Sequence, residues 1–338
     1  MMLLRPATQA DHGEVLALAR EAGIGMTSLP PDSHVLERKI AATEQSFAGK
    51  PDHAMGHRFL FVLEDTEQKK LVGSTGIVAH VGLSRPFYSY KLSTIVQASA
   101  GLKIYSMQRV LHMVNDYTGA TEIGSLFLLP GWRRDGIGRF LSRSRFLMLA
   151  QFPQLFDEVV ISEIRGMQDA NGDSPFYDNL AKIFFQMDFR RADFINATQG
   201  GQFISDLMPK YPIYVNLLPP QAQAAIGTPL EASKPAMAML TQEGFRWQGY
   251  IDVFDAGPTL QTERAHIRTV AESQCAKIGE MVETLPDQRY MIANTAIERF
   301  RMGLAPLAER KDGTVAIPRE AAGHLGVGKG DEVRYARA

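Results

Sequence analysis

Residues 126–139 concentrate the groups that handle an anion. An apolar run of strand character, Leu126 to Leu129, ends at Pro130-Gly131, and Arg133-Arg134-Asp135-Gly136-Ile137-Gly138-Arg139 follows. A helical pattern then begins, with Ile137, Phe140, Leu141, Ser144 and Met148 on one face. A strand that passes through glycines into a helix start presents free backbone N–H groups, and the helix dipole favours negative charge there. Gly136 and Gly138 leave room for a ligand to approach the backbone, and Arg133, Arg134 and Arg139 add charge. The spacing Arg-x-x-Gly-x-Gly is neither the phosphate loop ending in Lys-Ser/Thr nor the longer dinucleotide fingerprint. Read alone, it is also compatible with an ordinary strand-to-helix turn carrying solvated arginines.

Other residues could do chemistry. Glu163 lies inside the apolar run Val159 to Ile164, where a carboxylate is costly unless paired or functional. Asn115-Asp116-Tyr117-Thr118-Gly119 reads as a polar turn, and the loop Gly23 to Pro30 offers the hydroxyls of Thr27 and Ser28. Ser174-Pro175-Phe176-Tyr177 opens a helix, at whose end Phe184, Phe185, Met187 and Phe189 read as core. The eight histidines are scattered with no metal-ligand spacing, so no metal site is expected.

The elements that must position these residues follow from local pattern. A short strand at 2–5 precedes a helix with Thr8 and Asp11 at capping-box-like spacing and Val15, Leu18, Ala19 and Ala22 inward. A second helix starts near Asp32–Ser33, with Leu36, Ile40 and Phe47 inward. Phe59 to Leu63 and Leu71 to Ala79 form an antiparallel hairpin. Residues 81–118 resist placement. A helix over 235–243 and a strand from Phe245 to Phe254 close the larger part. Beyond Asp255-Ala256-Gly257-Pro258 short strands dominate, so the expected division is 1–256 and a small, mostly β segment at 257–338.

At 338 residues, two domains are the default. Hydrophobic content of 45% and charged content of 22% are those of a globular protein. A net charge of −1 argues against a nucleic-acid partner. No apolar run approaches the ~18 residues that span a membrane. One cysteine, Cys275, and no signal-peptide pattern fit a reducing cytoplasm.

The glycine turn resembles the pyrophosphate-binding turn of the GNAT acyltransferases, and the order of elements up to about residue 190 is similar to theirs. The implied fold is α/β (α+β), GNAT-like, with the β-rich segment appended. More specifically, the chain resembles bacterial arginine N-succinyltransferase, including the arginine/ornithine succinyltransferase subunits. The matching blocks are Gly25–Pro30, Phe61–Asp65, Asn115–Gly119, Ser174–Tyr177, Met187–Phe189 with Ala192-Asp193, Leu207–Tyr214 and Tyr250–Leu260. The resemblance implies succinyl transfer from succinyl-CoA, a co-substrate rather than a bound cofactor, to the α-amine of arginine, and a contact of Leu126 with succinyl-CoA. It departs at Leu230, where the family carries a proton-donating histidine, and at Tyr117, where it often has histidine.

That chemistry assigns expected roles. Gly136, Gly138 and the flanking arginines would bind the diphosphate. Backbone N–H groups near Leu126, Phe127 and Leu128 would stabilise the oxyanion. Glu163 would be the base and Tyr177 the acid. Asp116 would pair with the substrate guanidinium, and Thr27 and Ser28 would line the acceptor pocket. Because of Leu230, two alternatives stand beside this reading: a partner-dependent or non-catalytic subunit of a heteromeric succinyltransferase with a paralogous chain, and an acyl-CoA-dependent transferase with another amine acceptor; a homo-oligomer is the other assembly expected.

Overall fold

Asp11 accepts the Thr8 N–H at 2.8 Å in a capping box that opens the single turn leading into helix His12–Ala22, and Asp32 accepts the Val35 N–H at 2.9 Å at the cap of helix Ser33–Phe47. The computed structural model describes residues 1–23, 26–50, 57–169 and 171–338; Ile24 and Gly25 of the glycine-hydroxyl loop lie outside the described residues. The chain forms two compact units, 1–80 with 121–160 and 263–338, and 81–120 with 161–262.

In the first unit Met2–Pro6 pairs antiparallel with His57–Asp65 on one side and Met302–Pro306 on the other. His57–Asp65 continues to Lys70–Ala79, which pairs with Thr121–Leu128. Past Met302–Pro306 come Arg289–Asn294, Glu332–Arg337 and Gln274–Val282, with Val315–Pro318 added in parallel. Leu18, Leu36, Ile40, Leu60 and Val62 bury the two N-terminal helices against the sheet. Helix Ile137–Gln151 buries Phe140, Leu141, Ser144 and Met148, as its periodicity predicts.

The second unit holds Arg246–Asp252 between Pro258–Glu263 and Ser89–Ser99, then Ile104–Val114 and the two-residue strand Ile213–Tyr214. Phe176, Tyr177, Phe185, Phe189 and Phe254 share its core. The α/β class and the β-rich C-terminal segment match the expectation. Leu3 lies opposite Gly303, so the C-terminal strands continue the sheet of the first unit.

Candidate active site

Strand Thr121–Leu128 is bulged. Its register against Lys70–Ala79 passes from Ser74–Phe127 to Gly76–Gly124, so Ser125 and Leu126 share Thr75 as their opposite residue. Ser125 takes a φ of 52°, a left-handed conformation unusual for a side chain larger than glycine's. Three hydrogen bonds hold it there. Ser125 N–H donates to Ser28 Oγ at 3.0 Å, Ser125 Oγ donates to Ser28 O at 3.2 Å, and Ser74 Oγ donates to Ser125 O at 2.9 Å. Bulges re-aim backbone and side chains beside sites, and this one falls at Leu126.

The space above Gly124 is bordered by a carboxylate and a hydroxyl. A Cβ there would lie 3.7 Å from Glu122 Oε1 and 3.7 Å from Ser28 Oγ. Burial pushes the Glu122 carboxyl above the usual carboxylate range, against the opposing pull of Arg58 and Lys39. Lys39 Nζ also donates to Ser28 O at 2.8 Å. Glu122 is absent from the residues expected to do chemistry, although it carries the same signal as Glu163, an acidic residue within a strand, here Thr121-Glu122-Ile123-Gly124.

The strand runs into the glycine turn as expected. Asp135 and Gly136 have φ of 53° and 77°, and the helix starts at Ile137. Gly138 and Arg139 belong to the first turn, whose amides have no intrahelical acceptor. Nothing lies within 4 Å of a Cβ built at Gly136, so its left-handed backbone, not crowding, requires glycine. Arg134 and Arg139 are exposed. Arg133 Nε donates to Leu128 O at 2.9 Å, which ties that side chain to the strand end.

In the second unit, Tyr250 Oη donates to exposed Asp116 at 2.9 Å, Tyr117 Oη donates to Gln261 Oε1 at 2.6 Å, and the two tyrosine rings lie 4.6 Å apart. Burial first, then the charges of Tyr250, Glu163 and Asp116, push the Tyr117 phenol up, which puts Glu163 in electrostatic reach of this group. Leu230 N–H donates to Arg165 O at 2.8 Å, and Met167 N–H to Thr228 O at 3.0 Å, so the Leu230 loop lies along the chain just past Glu163. Tyr177, the expected acid, belongs to the aromatic core of the second unit. Its ring is fully buried, burial raises its pKa, and its hydroxyl donates to Met187 O at 3.1 Å and Asp188 O at 3.4 Å. Among the described residues no group of three or more His, Cys, Asp or Glu could hold a metal, and no helix is long and apolar enough to cross a membrane.

A mixed sheet whose bulged strand runs through a glycine turn into a helix start leaves first-turn amides open to an anion. The family description "Arginine N-succinyltransferase beta subunit" matches residues 2–269, and that of its C-terminal domain matches 281–337. Curated arginine N-succinyltransferases from Yersinia pestis (strain Pestoides F) and Escherichia coli (strain 55989 / EAEC) are each 39% identical, over 99% and 100% of this chain and 97% and 98% of theirs. The solved arginine/ornithine succinyltransferase subunit AI from Pseudomonas aeruginosa is similar with a TM-score of 0.90 and 35% identity, covering 100% of this chain and 98% of that one. The chain belongs to the arginine N-succinyltransferase family.

Proposed function

We propose that this chain transfers the succinyl group of succinyl-CoA to the α-amine of arginine. The observation that carries the reading is the Ser125 bulge leading through Leu126–Leu128 to the glycine turn, in a chain 39% identical over nearly its whole length to curated arginine N-succinyltransferases. The diphosphate docks on the first-turn amides of Gly138 and Arg139, with Arg134 and Arg139 adding charge. The thioester carbonyl meets strand amides near Leu126. The amine nitrogen bonds to that carbon, the C–S bond breaks, and the thiolate leaves.

Glu122 takes the proton the amine loses. It lies in the strand that leads to the glycine turn, and burial raises its carboxyl pKa, which makes its carboxylate a stronger proton acceptor. Glu163, the carboxylate singled out by sequence, is the competing base. Exposed Asp116, on its aromatic platform with Tyr117 and Tyr250, suits a guanidinium. The test is release of free thiol from succinyl-CoA on adding arginine, with ornithine and other amines as comparison acceptors.

Leu230 favours a second reading. An aliphatic side chain fixed beside Arg165 cannot donate a proton, which is what a subunit relying on a paralogous chain would tolerate. Arginine-dependent turnover by the purified chain alone would remove that reading.

A further inference from the structure

Within the first unit, the opening turns of helix Ile137–Gln151 and the C-terminal strands enclose a recess. Arg139 and Arg143 stand four residues apart, so one face of the helix carries both. Strand Arg289–Asn294 pairs with Met302–Pro306, and Met291 lies opposite Leu304. Arg289 and Met291 alternate onto the same face of their strand. These side chains, with Asp135 and Gly136 of the glycine turn, line a cavity of about 180 Å³. It shares Asp135, Arg289 and exposed Ala338 with an open cleft of about 540 Å³, so the two adjoin around Arg289.

The recess is basic. Among the described residues its charged side chains are Arg139, Arg143 and Arg289 against Asp135. Asp135 Oδ2 already lies 3.8 Å from Arg134 Nε. Arg143 is buried, and its Nε donates to Thr269 Oγ1 at 2.9 Å. Arg289 Nε donates to Asp287 Oδ1 at 3.0 Å, while its two terminal nitrogens make no hydrogen bond or ion pair among the described residues. Exposed Arg139 makes none there with any of its nitrogens. Two guanidinium groups with nitrogens to spare thus border one recess from distant segments of the chain. The planar fork of a guanidinium suits phosphate oxygens, and an anion between the arginines relieves their mutual repulsion.

We infer that Arg289, with Arg139 and Arg143, binds the 3′-phosphate of the acyl-CoA nucleotide. The inference rests on the succinyl-CoA reading above and deepens it. Gly136 and Arg139 border this recess and also belong to the turn and first helical residues that take the diphosphate. In CoA the 3′-phosphate sits on the ribose whose 5′-oxygen carries that diphosphate, so a group held at one site lies close to the other. A phosphomonoester carries about −1.5 to −2 charge at pH 7 and three strong acceptor oxygens, which matches the surplus of arginines over carboxylates. The β-rich C-terminal segment then does more than extend the sheet. Through Arg289 it lets the chain tell CoA thioesters from those that lack the 3′-phosphate.

Calorimetry on the full chain tests this by comparing CoA with dephospho-CoA, which lacks only the 3′-phosphate. The wild type is expected to bind CoA roughly tenfold or more tightly than dephospho-CoA. Arg289 is half exposed, so Arg289→Gln should keep the circular dichroism of the wild type. It should weaken CoA alone and erase most of the preference. Equal affinities in the wild type, or an Arg289→Gln variant that keeps the preference, would overturn the inference and leave the proposed function standing. A folded wild type that binds neither ligand would overturn both together.

Discussion

Ser28 and Ser125 hold one another by two hydrogen bonds, Ser125 N–H to Ser28 Oγ at 3.0 Å and Ser125 Oγ to Ser28 O at 3.2 Å, across 97 residues of chain. The pair fixes the bulge that offsets Leu126 from the ladder. Ser28→Ala leaves the Ser125 amide without its acceptor, a loss of about 1–2 kcal/mol for a partly buried group. The expected result is a lower thermal midpoint and a roughly tenfold drop in kcat/KM for the thioester, the kinetic equivalent of about 1.4 kcal/mol. Unchanged kinetics in a folded variant would mean that the bulge does not shape the thioester site.

Glu122 separates activity from stability. Its carboxyl pKa is raised by burial, so it lies above the unfolded value. The associated stability is fully present below the unfolded pKa and is lost as pH rises through the folded one. Glu122→Gln abolishes that loss, so at neutral pH the variant should melt no lower than the wild type. As the base, its replacement should lower kcat by ~10²–10⁴-fold and flatten the rise of rate with pH. Glu163→Gln, assayed beside it, decides between the two carboxylates; a larger kcat loss there would move the base to Glu163.

The two glycines of the turn should respond differently. Gly136→Val forces a β-branched residue to φ 77° and should raise KM for the thioester with a stability cost of about 1–2 kcal/mol. Gly138→Ala adds a Cβ 3.8 Å from Leu128 Cδ2, an ordinary contact, and should change stability little. Thioester titrations and thermal melts of both variants check this, and equal effects would contradict the assignment.

Asp116→Asn keeps an acceptor for the Tyr250 hydroxyl but removes the charge. KM for arginine should rise about tenfold or more, the loss of a charge-assisted pair, while KM for succinyl-CoA stays put. A matching rise for both substrates would indicate a structural role instead.

Much of this fold is readable locally. Asp32 caps where it stands in sequence, and the face of helix Ile137–Gln151 follows its apolar spacing, because both depend on neighbours within a few residues. The hairpin of Ser89–Ser99 with Ile104–Val114 resists reading because Val96, Ile104, Tyr105 and Met107 are exposed and give no burial pattern. The pairing of Leu3 with Gly303 is non-local and leaves no trace in either segment. At the site, the glycine turn announced itself by residue type. The bulge did not, since a left-handed serine is fixed by Ser28 and Ser74 from elsewhere in the sheet. Alternation also cannot tell what a polar group meets: Glu122 lies beside Gly124 and Ser28, while the Tyr177 hydroxyl meets the Met187 carbonyl.

The most direct measurement is the rate of thiol release by the purified chain given succinyl-CoA and arginine. The account predicts arginine-dependent release that yields N-succinylarginine and falls steeply in Glu122→Gln. No release with arginine, ornithine or related amines, from a chain that is folded and binds CoA, would contradict it.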